Sequence, residues 1–460
     1  ANNASLTSST GTLLNLRNAS RATVNVDNTR LVGNLLGDAT STGAVTLRNG
    51  SALTGYVDTM GLAIDGTSAW NVTANSRLTA LNNAGSITFV APTGPATAVG
   101  SYKTITTNSY AGTNGTLAIN TFLGADNSPT DKVVIAGGTA TGTTALRVNN
   151  TGGLGDKTTG DGINVVAVTG GGTTAANAFR LTGGPLLAGA YEYQLYRGGA
   201  ASADNYYLRS TLGDGSDSYR PAVPGYTLTP ALNLDQGFAM LGRLHERVGD
   251  VASTEVNQKT NKHGIWGRIV GSNLRADSGR FRANQDTYFA QFGKDFTLSQ
   301  DPEGGSTHAG ATATLGTADA RFRDEFRSLN STLGNDTGKV STQMQSVGGY
   351  FTKYLKDRSY SDTVAQVTHY RNKYGDIYGT GATQNGWGLA LSQEVGKPFP
   401  IANGAFSIEP QAQLVYQHLN LGDFNDGISN VSGTTGNPVP GPLGVRLFKP
   451  TPGDLGRSGS

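Results

Sequence analysis

Three regimes of hydrophobic and polar patterning succeed one another along the 460 residues. In residues 1–90, short alternating runs of β-formers end in Asn, Gly, Ser or Thr: Val24-Asn25-Val26-Asp27-Asn28, Val45-Thr46-Leu47-Arg48-Asn49-Gly50 and Leu62-Ala63-Ile64-Asp65-Gly66. They start about twenty residues apart, the kind of recurrence that marks stacked repeats. One such unit exposes both a sheet edge and an apolar face, so it gains stability by stacking on copies of itself, as parallel β-helices do. A β-sandwich also uses short strands between turns. It does not require self-similarity, so the β-helix is the expectation. Near residue 190, Tyr191, Tyr193 and Leu195 share one face of an aromatic strand, followed by a second strand containing Tyr207. Such strands can cover the open end of a β-helix and protect it from edge pairing.

The second regime is helical. Thr229-Pro230 predicts a helix start, with Thr as N-cap and Pro at the first helical position. Leu234, Phe238, Leu241, Leu244 and Val248 then recur at three- and four-residue spacing, while Asp235, Arg243, Glu246, Arg247 and Asp250 occupy the other faces. A helix over about 230–256 would reach about 37 Å, enough to cross a hydrocarbon layer of ~30 Å inside a barrel.

After His263 the period returns to two, in segments of about ten residues. Strands are predicted at 264–273, 287–298, 308–322, 339–355, 360–374, 386–395, 406–418 and 442–448. In the sixth, Trp387, Leu389 and Leu391 alternate with Gly388, Ala390 and Ser392. In the seventh, Phe406, Ile408, Ala412, Leu414 and Tyr416 alternate with Ser407, Glu409, Gln411, Gln413 and Gln417. A soluble sheet of this kind would need a second layer to cover eight apolar faces, and no amphipathic helices remain to supply one. Trp266, Tyr350, Tyr360, Tyr374 and Phe406 lie near strand ends, where an interfacial aromatic girdle is expected. Arg268, Glu409 and Gln411 fall on polar faces and are candidates for the barrel lumen, hydrogen-bonded to a threaded helix.

Composition narrows the choice. Gly supplies 65 residues and charge only 15%, a turn-rich, charge-poor chain. Cysteine is absent, which removes disulfides, thiolate metal sites and a Cys nucleophile. A net charge of +2 without a basic run argues against nucleic acid as a partner. No apolar stretch reaches the ~18 residues of a membrane-spanning helix, a test that β-barrels escape. Ala1-Asn2-Asn3-Ala4-Ser5 has no basic region followed by an apolar core, which predicts a processed chain or one lacking its front.

Several strings carry a resemblance. Ser68-Ala69-Trp70-Asn71-Val72-Thr73 with Asn75-Ser76-Arg77-Leu78 resembles the W-x-V-T-x-x-S rung of pertactin-like autotransporters, and Ser101-Tyr102-Lys103-Thr104-Ile105-Thr106 is similar to their next rung. Asp131-Lys132-Val133-Val134-Ile135 with Ala145-Leu146-Arg147-Val148-Asn149-Asn150-Thr151-Gly152 resembles a later segment, and Gly189-Ala190-Tyr191-Glu192-Tyr193-Gln194-Leu195-Tyr196 with Asn205-Tyr206-Tyr207-Leu208 resembles the autochaperone strands, with Tyr where Trp is usual. Tyr219-Arg220-Pro221-Ala222-Val223-Pro224 and Ala239-Met240-Leu241-Gly242-Arg243-Leu244-His245-Glu246-Arg247-Val248-Gly249 are similar to the family's linker. Gly264-Ile265-Trp266-Gly267-Arg268 and Ile408-Glu409-Pro410-Gln411-Ala412-Gln413-Leu414 resemble barrel strands.

The resemblance, over roughly residues 60–448, implies an all-β chain. Its parts would be right-handed parallel β-helix rungs at 1–90, an autochaperone region at 91–212, a linker at 213–262, an outer-membrane barrel at 263–448 and a Pro/Gly-rich tail at 449–460. The implied function is export and anchoring of the chain's own passenger, by default an adhesin. The implied partners are outer-membrane lipid, the outer-membrane assembly machinery, periplasmic chaperones and a host-cell or matrix ligand, for a monomer without cofactor. The cap, Tyr191, Tyr193, Leu195 and Tyr207 here, would fold first outside the cell. Some members release the passenger within the linker helix, between two Asn residues. This linker has no Asn pair, and Asn233, followed by Leu234, is the position that could take that part. The family's barrel has twelve strands and ends on an aromatic residue, against about eight predicted here before the tail.

Catalytic readings are thin. Ala276-Asp277-Ser278-Gly279 lacks the first Gly of a serine-protease motif and suits a hairpin turn. Gly152-Gly153-Leu154-Gly155-Asp156 approaches a calcium-binding repeat, but Lys157 stands where Asp belongs. The five histidines, 245, 263, 308, 369 and 418, have no metal-ligand spacing. A polysaccharide-cleaving β-helix would need clustered carboxylates along one side of the rungs, and residues 1–150 show none. A structural surface filament would predict more regular repeats and no barrel strands. The expectation is no enzyme.

Overall fold

The structure, a computed structural model, describes residues 4–248, 264–301, 304–401, 406–438 and 443–448. The chain divides into two compact units, Ala1–Arg220 and Pro221–Ser460. The tail expected at 449–460 and the linker's end near 256 lie outside the described residues.

In the first unit the polar repeats stack as parallel strands, which decides for a β-helix over a sandwich. One inward ladder runs through Leu31, Leu53, Trp70, Ile87, Leu117 and Leu146, each in register with the next. A second runs through Val24, Val45, Leu62, Leu81, Tyr110 and Ala140. A rung contributes one apolar residue to each ladder, so a rung alone would leave both of its apolar faces wet. The parallel pairing does not stop at residue 90 but continues to Phe179–Leu181.

The polar half of each repeat builds the corners. Asn18 and Asn49 sit at φ 57° and 54°, a left-handed conformation that Asn tolerates well among residues with a Cβ. The Asn18 amide donates to Asp38 Oδ2 at 2.9 Å and the Asn49 amide to Asp65 Oδ2 at 2.7 Å, so each Asp ties the corner of the rung before it. Each Asp also accepts from its own turn, Asp38 from the Thr40 amide and Asp65 from the Thr67 amide, both at 3.0 Å. Burial alone would raise the Asp65 pKa, but these amides and the Ser68 and Thr67 hydroxyls bring it down to about 2. A carboxylate whose folded pKa lies below its unfolded value of ~3.9 stabilises fully above that value and ceases to as pH falls through the lower one. Protease resistance of the β-helix is therefore expected to be flat from pH 5 upward and to fall toward pH 2. Asp65→Asn should flatten that acid limb in a proteolysis series.

At the other end the sheet turns antiparallel. Tyr191–Arg197 pairs with Tyr206–Arg209, which pairs in turn with the last long rung strand, Ile163–Thr169. Residues 213–220, expected in the linker, fold back on this cap. The Ser218 amide bonds the Ser210 carbonyl, the Glu192 amide bonds Ser218, and the Tyr219 ring lies 5.7 Å from that of Tyr191.

The second unit holds the helices and the barrel strands, which we number β1 (Ile265–Asp277), β2 (Phe281–Gln300), β3 (Ser306–Asp324), β4 (Asp336–Tyr354), β5 (Tyr360–Asp376), β6 (Gly381–Gly396), β7 (Phe406–Leu421) and β8 (Leu443–Phe448). All eight predicted strands are present, most of them longer than expected. Each pairs antiparallel with its neighbour in chain order. Helix α1 (Val223–Leu241) touches β2 through β7, and α2 (Leu244–Val248) touches β1. Six flat strands would spread over roughly 24 Å at ~4.8 Å each, about twice a helix diameter of ~10–12 Å. The sheet must therefore curl round the helix.

Helix α1 begins seven residues earlier than predicted. Pro224 takes the early helical position, Ala222 stands at the N-cap without a side-chain cap, and Pro230 lies inside the helix. Thr229, expected to cap, instead turns its hydroxyl back to the Gly225 carbonyl at 2.7 Å. An interior Pro costs ~3 kcal/mol in an exposed helix. Here the wall surrounds the helix and holds its course.

Candidate functional site: the helix-filled lumen

Along β1 to β6 the outward positions are apolar across the middle. Ile269, Phe292, Leu315, Val347, Val367 and Leu389 are all exposed, Ile269 by 87%. The inward positions are polar and buried: Gln285 and Gln291 on β2, Thr314 on β3, Thr342 and Ser346 on β4, Gln366 and Thr368 on β5. A soluble protein of this size would bury the first set and wet the second. The inversion fits a strand wall with lipid outside and a polar lumen inside. No helix among the described residues is long and apolar enough to cross a membrane, which is silent about strands.

The lumen grips α1 largely by its backbone. Gln417 Nε2 donates to the Leu234 carbonyl at 3.0 Å, Gln366 Nε2 to Gly237 at 3.5 Å, Gln291 Nε2 to Met240 at 3.0 Å and Gln413 Nε2 to Gly242 at 3.4 Å. Arg268 donates to the Met240 carbonyl at 2.9 Å and to Gln291 Oε1 at 2.7 Å. Its charge thus lies where the last carbonyls of a helix are unsatisfied and the dipole is negative. Side-chain pairs add to this. Asn233 and Asn372 exchange amide bonds of 2.8 and 3.2 Å, and Gln236 donates to Gln285 at 2.9 Å.

Gly242, at φ 62°, ends α1, and α2 sits among carboxylates. The Leu244 amide donates to Glu394 Oε2 at 3.0 Å, His245 Nε2 lies 2.8 Å from Glu409 Oε1, and Arg247 is paired with Asp362. Glu394 also accepts from Tyr360, Asp362 from Thr352 and Glu409 from Gln411.

Of the sequence-derived lumen candidates, Arg268 and Glu409 thus meet the helical segments directly, and Gln411 meets Glu409. The proposed apolar stripe is spread over separate contacts. Leu234 packs with Met240, Phe289 and Leu419, whereas Phe238 packs with Leu241, Val364 and Val415. Leu241 and Leu244 are buried, Val248 closes α2, and the side chain of Val248 lies outside the described residues. Other faces of α1 are buried as well, at Leu228, Leu232, Asn233, Gln236 and Met240.

The girdle expectation fails for four of its five aromatics. Trp266, Tyr350, Tyr360 and Tyr374 lie on the inward parity, with the Trp266 indole N–H donating to Tyr350 Oη at 3.1 Å. Phe406 alone of the five is exposed, among other outward rings such as Tyr288, Phe292, Phe351 and Trp387. Position near a strand end was readable, but parity decides the face. The residues that sequence reasoning missed, Gln291, Gln366, Asp362, Asn372 and Glu394, all sit on that inward parity.

Of the two glycines within α1, Gly237 approaches the wall more closely than Gly225. A Cβ there would lie 2.8 Å from Tyr370 Oη and 3.1 Å from Gln417 Nε2. Gly→Ala in a free helix gains ~1 kcal/mol. Here we expect Gly237→Ala to lower the barrel's heat-unfolding temperature despite that gain, and Tyr370→Phe to restore part of it. A raised temperature for Gly237→Ala alone would show the contact to be slack.

In the first unit, Tyr193 is fully buried, and its hydroxyl accepts from the Asp156 amide at 2.9 Å and lies 2.8 Å from the Gly124 carbonyl. Burial pushes that hydroxyl up to about 12, so it stays a donor. Tyr191 and Leu195 pack partly buried against the β-helix core. Tyr207 is buried and accepts from Asn205 at 2.8 Å. The Asp277-Ser278-Gly279 stretch forms the β1–β2 hairpin turn, with the Gly279 amide on Asp277 at 2.8 Å.

Two family models match this architecture: an autochaperone domain of type 1 over residues 76–195 and the autotransporter beta-domain over residues 265–456. The chain belongs to the autotransporters. It is 30% identical over 387 residues to the adhesin BmaC autotransporter of Brucella suis, covering 75% of this chain and 11% of that protein. It is 29% identical to the uncharacterized protein YuaQ of Escherichia coli, over 91% of this chain and 33% of that protein. With autotransporter adhesin AIDA-I of Escherichia coli the identity is 26%, over 75% of this chain and 27% of that protein. The chain thus spans a third or less of the length of these three relatives. As in autotransporters generally, the barrel unit resides in the outer membrane and the β-helix is the surface-exposed passenger.

Proposed function

We propose that this chain exports and anchors its own β-helical passenger, and that the passenger is an adhesin. The observation that carries the reading is α1, held by its backbone inside a polar strand wall directly after a stack of surface rungs. A wall that bonds carbonyls can hold an extended or helical chain in transit without selecting its side chains. Two of the relatives are named as adhesins, and the long outer faces of the rungs suit a flat protein or matrix ligand. The working partners are outer-membrane lipid, the barrel-assembly machinery and periplasmic chaperones, and the unit acts as a monomer. We read Asn233, whose amide is tied to both Gln236 and Asn372, as holding the helix rather than cutting the chain.

Protease added to intact cells that express the chain should remove the passenger and leave a heat-modifiable barrel fragment in the outer membrane. Untreated cells should show one uncut chain. A passenger protected in the periplasm would end the reading. The cap is the folding template in this scheme. Tyr193→Ala, which removes the buried ring and its bonds to the corner at 124 and 156, is expected to yield surface passenger with several-fold lower protease resistance.

A further inference from the structure

The outward face of the barrel changes character toward one end. Past the apolar middle of β3, β4 and β5 the outward positions turn polar, through Thr317 and Asp319, Gln345, Gln343 and Ser341, and His369, and then carry four exposed cations, Arg321, Lys339, Arg371 and Lys373. Arg321 lies directly opposite Lys339 across the β3–β4 pair, and Lys373 is opposite Ser341, one diagonal step from Lys339. Like charges facing each other on a sheet are destabilising unless something compensates them. Among the described residues none of these four has a carboxylate within ion-pair distance. The carboxylates nearby are engaged elsewhere: Asp319 with the Ser341 hydroxyl, Asp286 with Asn273, Asp336 with Arg323 and Glu325 with Arg282.

The end of the barrel is fixed by the helix. Gly225, in the first turn of α1, packs beside Phe322, Val340 and Tyr374, the inward neighbours of Arg321, Lys339 and Lys373. Because α1 follows the passenger in the chain, this is the end that faces the cell surface, a step that rests on the proposed export function. The four cations therefore stand on the surface-facing side of the apolar belt, between four residues (Arg371 from Val367) and eight (Lys339 from Val347) along their strands, on the side where headgroups of the outer leaflet lie.

We propose that Arg321, Lys339, Arg371 and Lys373 form a docking surface for the phosphate groups of an outer-leaflet lipid, whose acyl chains lie on the apolar belt formed by Leu315, Val347 and Val367. Exposed cations next to a membrane bind anionic headgroups through Coulomb attraction that salt weakens. The apolar belt further along the same strands supplies the contact that a free anion could not use.

The test is native mass spectrometry of the full chain released from detergent, after incubation with bis-phosphorylated lipid A, with its dephosphorylated form, or with inorganic phosphate. The wild type should retain the phosphorylated lipid, about tenfold or more over the dephosphorylated form, and lose it as salt is raised. The variant R321Q/K339Q/R371Q/K373Q should lose that preference, while K353Q, outward on β4 at the opposite end, should keep it. Heat modifiability on gels reports whether each variant is folded. If the fourfold variant is not, R321Q/K339Q and R371Q/K373Q carry the test, each expected to lose severalfold. Equal retention by variant and wild type, or displacement by inorganic phosphate at matched concentration, overturns the proposal. Protease accessibility of the passenger on cells is read separately: a displayed passenger with no lipid preference sinks this proposal alone, whereas a passenger that is never displayed sinks the export reading.

Discussion

Arg247→Met is expected to destabilise the barrel unit by about 3–5 kcal/mol, the usual cost of stranding one partner of a buried ion pair. Arg247 and Asp362 side chains are each 1% exposed, and the guanidinium also lies over the Tyr350 ring at 5.0 Å. Removing the cation leaves Asp362 with the Thr352 hydroxyl and with Glu394 directly opposite it on β6. The double change Arg247→Met with Asp362→Leu removes both charges, and its cost should be near zero or negative by the same reasoning. Heat-induced unfolding in detergent, followed by gel mobility, measures both. If the single variant unfolded at the wild-type temperature, α2 would not be a structural part of the lumen.

The second large effect lies in the passenger. Trp70 is fully buried between Leu53 and Ile87 in the inward ladder, and its indole N–H donates to the Gly55 carbonyl at 3.0 Å. Trp70→Ala should cost about 3–5 kcal/mol in cavity and lost contacts, and more if the carbonyl is left without a partner. Because a stacked repeat distributes stability among neighbours, the loss should be local. Limited proteolysis is expected to open the rungs before residue 70 first, with the segment from Ile105 to Leu208 still protected. Uniform loss of protection over the whole passenger would mean that the rungs unfold as one cooperative block.

Much of this architecture was legible because two periods carry it. Val24, Val45 and Leu62 announce ladders by recurrence, and Trp387, Leu389 and Leu391 announce a wall by alternation. Parity also placed Glu409 and Gln411 on the polar face. The helix starts ahead of Thr229-Pro230, a good local signal, because the tertiary wall stabilises a helix that carries Pro within it. Trp266, Tyr350, Tyr360 and Tyr374 turn inward rather than into a girdle because a ring suits both an interface and a packed lumen, and only the count of residues along the strand separates the two. The partners of Arg247 or Asn233 were beyond reach, since a strand's parity says which way a side chain points and nothing about the depth at which it meets the helix.

The amides of Gln291, Gln366, Gln413 and Gln417 address carbonyl oxygens, and every residue of any helix has one. Each such neutral bond is worth about 1 kcal/mol, and together they ask little of the side chains they hold. A barrel built this way is a socket rather than a lock. Linker segments of quite different composition could diverge, or be exchanged between chains, while the wall that receives them stays the same.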